Sequence, residues 1–172
     1  DYEYIVKSTP GLMIQSIKVL PSYNPNKKAD SSNCVTIVVR PFGSDDMDLT
    51  GYEENIKRYI DKYRLINTKV FVTGPTKIGL SISGEIVVNS YFTSEADIVA
   101  NKIRQFINKM NETCGNTLHY GELFGLIDRL DGVSYVESLR ITPKGDYLEK
   151  TMADDILIPS DGIYYIESLD LN

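Results

Sequence analysis

Residues 77–110, KIGLSISGEIVVNSYFTSEADIVANKIRQFINKM, contain the strongest secondary-structure signals of the chain. From Lys77 to Asn89, apolar residues occupy nearly every second position, which predicts a strand with one buried face. From Ser94 onward, apolar residues recur every three or four positions, which predicts an amphipathic helix with Ser94 at its N-cap. A strand followed by a long helix indicates a fold that mixes sheet and helix.

A second pattern, helix then strand, occurs at both ends of the chain. The stretches Tyr4–Val19, YIVKSTPGLMIQSIKV, and Leu123–Ile141, LFGLIDRLDGVSYVESLRI, each predict a short helix, a break that ends in glycine, and a strand. Glycine suits such a break because it adopts the left-handed conformation in which many helices end. The two stretches therefore suggest two related lobes.

The order of predicted elements places the boundary between these lobes at Gly74-Pro75. Residues 1–74 are predicted as αββαβ and residues 75–172 as βααββ. We expect an α+β fold of two small mixed lobes, at 1–74 and 75–172, each a short sheet covered by about two helices. Two polar, turn-rich segments, Pro21–Asn33 and Pro41–Asp48, are predicted to be exposed loops.

Composition and charge exclude several classes of partner. The net charge is −6 and the 18 basic residues are scattered, whereas binding to nucleic acid phosphates requires clustered Lys and Arg. No apolar run approaches the roughly 20 residues that cross a membrane. We expect no nucleic-acid or membrane partner, and we expect the two cysteines, Cys34 and Cys114, to be reduced and buried.

Residues for catalysis are sparse. His119 is the single histidine, and no serine or cysteine near it stands in a nucleophile motif. The glycines form no phosphate-binding loop, and metal ligands at usable spacing are missing. We expect no enzyme activity, no catalytic, cofactor or metal residues, and no small-molecule substrate, with His119 in a loop or at a helix start.

The acidic residues leave one chemical alternative open. Asp45, Asp46 and Asp48 form the sharpest cluster, but a Ca²⁺ loop would place Gly and Glu at offsets that this segment does not match. We expect a solvated loop here, and we interpret Asp154-Asp155 in the same way. Paired carboxylates for glycoside cleavage stay open, because their spatial separation is not visible in a sequence.

Twelve tyrosines stand out in the composition. Tyrosine provides large contact area at low entropic cost and is enriched at interfaces. Tyr164 and Tyr165 are predicted to lie in a strand, so their side chains point to opposite faces. The one that faces away from its own core is the best candidate for a partner contact.

The order of motifs along the chain resembles a known family. The residues concerned are Asp1-Tyr2-Glu3, Thr9-Pro10-Gly11-Leu12, the strand Cys34–Arg40 followed by Pro41, the helix from Tyr52, the strand pair of Lys69–Val88 around Gly74-Pro75, the helix from Ser94, Gly121-Glu122-Leu123, Asp131-Gly132-Val133 and Ile158-Pro159. This ordered set, which covers nearly the whole chain, resembles the baseplate J-like proteins of contractile-tailed phages.

The resemblance implies a structural role. Such proteins are wedge components of the tail baseplate, so the expected partners are other wedge proteins and further copies of the chain, and the expected location is the virion after assembly in the bacterial cytoplasm. Family members are often longer, and the chain begins at Asp1 without methionine, so we expect a fragment or a processed product. The alternatives are a subunit of a related contractile injection machine or tailocin, or a secreted module that binds carbohydrate or a partner.

Overall fold

The computed structural model describes residues 2–43, 50–64, 66–89 and 95–171. Within these ranges the chain forms four helices, α1 (Tyr2–Lys7), α2 (Thr50–Ile60), α3 (Glu95–Met110) and α4 (Tyr120–Asp128). The strands are β1 (Ile14–Asn24), β2 (Ala29–Pro41), β3 (Lys69–Thr73), β4 (Thr76–Val88), β5 (Val133–Lys144), β6 (Glu149–Lys150), β7 (Ile156–Leu157) and β8 (Gly162–Leu171). Small sheets and separate helices confirm the predicted α+β class.

Two compact units make up the chain. Unit 1 contains residues 1–76 and 159–161, and unit 2 contains residues 77–158 and 162–172. The sequence predicts two lobes that divide after residue 74, and this division into lobes stays a prediction.

The core of unit 1 lies on a three-stranded sheet of order β1-β2-β3, with β2 antiparallel to β1 and parallel to β3. The central strand contains the apolar run that the sequence predicts to be well buried. Its residues Ile37 and Val39 pack against Val6 of α1 and against Ile56 and Ile60 of α2. Each such buried side chain contributes about 1.5–3 kcal/mol relative to an exposed one.

The loop predicted at Pro21–Asn33 is wrong over most of its length. The antiparallel pairing of β1 and β2 continues to Asn24 and Ala29, after a register shift between Pro21 and Tyr23. Within the shift, Ser22 has a φ of 55°, which is the unusual conformation of a bulged residue. The hairpin continues through these polar residues because the pairing of β1 with β2 satisfies their backbone hydrogen bonds. The polarity of the side chains does not oppose that pairing.

The core of unit 2 lies on a sheet of order β5-β4-β8, with β4 antiparallel to β5. The predicted alternation in β4 is present, since Ile78, Leu80 and Ile82 are buried in one cluster with residues of α3 and α4 such as Ile103 and Leu123. Helix–break–strand segments begin unit 1 and recur within unit 2, yet β1 pairs with β2 whereas β5 pairs with β4. The predicted repeat therefore does not extend to strand pairing.

Several boundaries in unit 2 also differ from the prediction. The residues Pro143-Lys144-Gly145-Asp146 predict a turn, but the strand β5 continues through Pro143 and Lys144. The short pair β6–β7 was not expected as a sheet, and Leu118 forms an isolated bridge with Ile156. Among the described helices, none has both the length and the apolar character that a membrane crossing requires.

Candidate interaction surfaces

A buried polar cluster in unit 1 surrounds Asp161, a fully buried residue. The Asp161 carboxylate accepts hydrogen bonds from the Tyr23 hydroxyl at 2.9 Å and the Thr76 hydroxyl at 3.0 Å. The Lys28 ammonium lies 2.5 Å from its second oxygen, and the Thr76 amide donates to the Asp161 carbonyl at 2.8 Å. Two hydroxyl donors and one cation together satisfy the hydrogen-bonding capacity and the charge of the carboxylate. The cluster is therefore a structural tie, meaning a set of contacts that joins distant segments of unit 1.

The electrostatics of this cluster follow from its burial. The pKa of Tyr23 is raised, first by burial of its hydroxyl and then by the hydrogen bond and the negative charge of Asp161. The sequence carries little signal for this site, since Pro159-Ser160-Asp161-Gly162 predicts only a turn, and Tyr23 and Lys28 lie in the segment predicted to be a loop. Only the folded chain brings these residues together.

His119 lies at the start of α4, which agrees with the predicted position in a loop or at a helix start. It is the N-cap residue of α4 and makes no side-chain cap hydrogen bond of its own. Instead the Asp155 carboxylate accepts from the Tyr120 amide at 2.9 Å and lies 3.1 Å from His119 Nδ1. These two contacts hold the pKa of Asp155 below its ordinary value. Asp155 thus caps the helix from a distant segment, at the end where negative charge is favoured.

The remaining predicted positions divide into two groups. Cys34 and Cys114 are both buried, as the sequence predicts. Asp45, Asp46, Asp48 and Ser94 lie outside the described residues. Across the ranges that the structure describes, His, Cys, Asp and Glu side chains form no group suited to holding a metal ion.

Tyr164 and Tyr165 face opposite sides of β8. Tyr164 is buried, and its hydroxyl donates to the carbonyl oxygens of Asn116 at 2.7 Å and Ile156 at 3.2 Å. Tyr165 is 45% exposed. Its hydroxyl lies 3.0 Å from the position that a Cβ on Gly79 would occupy, so the ring covers the backbone of β4. Tyr165 is thus the outward tyrosine, and it also has a contact within its own sheet.

Unit 1 displays a tyrosine patch, defined here as the exposed Tyr4 and Tyr63 together with the half-buried Tyr59. The rings of Tyr59 and Tyr63 are tilted at 53° with their centroids 5.8 Å apart, and Lys62 Nζ lies 5.8 Å from the centre of the Tyr59 ring. Tyr4 is 74% exposed and Tyr63 is 55% exposed. Neighbouring phenol groups raise the pKa of Tyr59, with Tyr63 the largest cause. Grouped aromatic side chains of this kind are typical of protein interfaces.

Unit 2 contains an open groove of about 640 Å³ between α3 and α4, called here the α3–α4 groove. Its apolar part consists of Phe106, Leu126 and Leu130, which are half-buried. Gly121 and Gly125 also line it, and at both positions a Cβ would meet no atom within 4 Å. The groove is therefore a shallow apolar channel with bare backbone along one side.

Among the comparisons with known proteins, the comparison with solved structures is informative. No protein-family model matches the chain, and no curated protein matches it in sequence. Among solved structures, the chain is similar to a chain in the cryo-EM structure of the anti-feeding prophage baseplate, with a TM-score of 0.61 and 11% identity. The match covers 95% of this chain but only 35% of that chain, so this chain spans about a third of its length. At this identity the likeness establishes the fold.

Proposed function

We propose that the chain is a structural subunit of the baseplate of a contractile injection particle, with the role of a wedge component that joins other baseplate proteins. The observation that carries the proposal is the fold similarity to an anti-feeding prophage baseplate chain over 95% of this chain. The order of sequence motifs independently resembles the baseplate J-like family. Both observations point to the baseplate of a contractile particle. That particle is either a phage tail or a prophage-derived injection particle.

The surfaces of the chain support a role in protein contacts. The tyrosine patch of unit 1 and the α3–α4 groove of unit 2 both expose aromatic or apolar side chains. A subunit held by several such surfaces binds firmly even when each contact is weak, because every further contact forms within the assembly.

A structural role also fits the use of the polar residues. His119, the single histidine of the sequence, lies beside Asp155 at a helix start. The buried carboxylate of Asp161 accepts hydrogen bonds from the side chains of Tyr23, Lys28 and Thr76. His119 with Asp155, and Lys28 with Asp161, are pairs of residue types that also occur in catalytic sites. Here both pairs hold segments of the backbone together.

Gene deletion in the cells that encode the chain tests this function. If the chain is a baseplate subunit, its loss stops particle assembly while the sheath and tube proteins still accumulate, and a plasmid copy restores intact particles. Normal numbers of intact, contractile particles in the deletion strain would refute the proposal.

A further inference from the structure

The helix α4 is apolar on more faces than its own unit covers. Its sequence, YGELFGLID, has only Glu122 and Asp128 as charged residues. Two of its residues, Leu123 and Ile127, are fully buried, whereas Phe124 and Leu126 are only half-buried. A helix that is apolar on most sides is normally covered on most sides, so the exposed side is suited to a further contact.

The α3–α4 groove is the place where that contact fits. Gly121 and Gly125 lie one turn apart on α4, so the backbone of a partner can approach closely along that side. From Gly121 to Arg129 the groove extends about 12 Å at 1.5 Å per residue, which is roughly two turns of a helix. Amphipathic helices dock in this way, with their apolar side chains in a groove between two helices.

The charges at the rim indicate the chemistry of the occupant. Lys102 and Arg129 line the groove and are exposed, and neither forms an ion pair with another side chain in the described part of the chain. The single acidic lining residue is Glu122. Two cations against one anion, in a chain with a net charge of −6, favour an acidic segment at this surface.

We infer that the α3–α4 groove binds an amphipathic helix with acidic flanks, supplied by a different subunit of the assembly. The source of the helix rests on the proposed function, whereas the chemistry of the groove does not. The helix places its apolar residues over Phe106, Leu126 and Leu130 and its carboxylates beside Lys102 and Arg129.

Two synthetic helical peptides of about four turns test the chemistry with the purified chain. Both place Leu at every third or fourth position, and the flanking positions are Glu in one peptide and Lys in the other. Fluorescence anisotropy should show the Glu peptide binding about fivefold more tightly, because Lys102 and Arg129 attract Glu and repel Lys, and only Glu122 acts in the opposite sense. Equal affinity, preference for the Lys peptide, or no measurable binding of either would overturn the inference.

Gly125→Leu separates binding from folding. The Cβ of a Leu at this position meets no atom within 4 Å, and Leu has a higher helix propensity than Gly. We therefore expect the variant to stay folded while its side chain extends into the groove that Gly125 lines. The Glu peptide should bind at least about tenfold more weakly, a change of about 1.4 kcal/mol. Gly51→Leu in α2 is the matched control, since its Cβ also meets no atom within 4 Å, and it should leave the affinity unchanged. Equal binding to both variants would also overturn the inference.

Photo-crosslinking identifies the source of the helix. A benzoylphenylalanine at position 126, in place of Leu126, should crosslink in purified particles to an acidic helix of another subunit. A crosslink to a second copy of this chain, or to a basic segment, would contradict the inference. Absence of the chain from the particles, with selective binding of the Glu peptide intact, would instead refute the proposed function alone.

Discussion

Tyr23 donates a hydrogen bond to Asp161 across 138 positions of sequence, with 2.9 Å between the phenol oxygen and the carboxylate. The bond joins the β1–β2 hairpin to residues 159–161 within unit 1. Closing so long a loop costs conformational entropy, so we expect this hydrogen bond to form only when the rest of unit 1 is in place. The Asp161 cluster therefore reports on completed folding of unit 1.

Asp161→Ala should destabilise the chain by about 3–5 kcal/mol, because it leaves the Lys28 ammonium, which is 17% exposed, without its partner. Urea denaturation measures the loss as a lower unfolding midpoint. Tyr23→Phe removes one hydrogen bond and should cost about 1–3 kcal/mol. Glu3→Gln is the control, since the Lys7–Glu3 pair is exposed on both sides and should not move the midpoint. A midpoint of Asp161→Ala equal to the wild-type value would rule out the structural tie.

Gly84→Ala should destabilise unit 2 by about 1–3 kcal/mol, which is the usual cost of overpacking. The added Cβ would lie 2.6 Å from the carbonyl oxygen of Ser138, and that oxygen belongs to the backbone of β5. Gly125→Ala is the matched change in the same unit, and it should stabilise by up to about 1 kcal/mol because its Cβ enters open space in a helix. Thermal unfolding of both variants measures whether each change in stability is a loss or a gain. A Gly84→Ala variant as stable as the wild type would show that β4 and β5 lie further apart.

Asp155→Asn should reduce stability in a pH-dependent way. The pKa of Asp155 in the folded chain lies below its ordinary 3.8, mainly through the hydrogen bond with His119 and then the Tyr120 amide. The stabilising effect of the carboxylate is therefore complete above about pH 4 and is lost as the pH falls through the lower, folded value. Denaturation midpoints of both proteins should differ above pH 4 and converge in more acidic buffer. A constant difference from pH 6 to pH 2.5 would contradict the helix cap.

The two adjacent tyrosines of β8 should respond differently to loss of the hydroxyl. Tyr164→Phe removes the donor to two buried carbonyl oxygens and should cost about 1–3 kcal/mol in denaturant unfolding. Tyr165→Phe keeps the ring over Gly79 and should change stability by less than about 0.5 kcal/mol. Tyr165→Ser should lower incorporation into particles if this residue contacts a partner, whereas full incorporation would count against that contact.

The sequence predicts the elements of this fold better than their connections. The strand from Lys77 and the helix after Ser94 follow from local periodicity, because burial of one face imposes the pattern directly on the residues. Strand pairing depends on contacts between distant segments, so the β5-β4-β8 order was not accessible. The Asp161 cluster was missed for the same reason, since its donors Tyr23 and Thr76 carry no local signal.

The α3–α4 groove shows another limit of sequence reasoning. The spacing of Gly121 and Gly125 in the sequence does not indicate a groove, because their shared helix face gains a meaning only beside Phe106 of α3. By contrast, the outward tyrosine of the Tyr164-Tyr165 pair followed from the geometry of a strand, in which neighbours alternate.

The most direct measurement of the central claim is the position of the chain in an assembled particle. Particles are purified from cells that carry an epitope on the chain, and immunogold electron microscopy locates the tag. The baseplate assignment predicts gold at one end of the tail only, at the same end in every particle. Gold along the sheath, or tagged protein that never sediments with intact particles, would contradict it.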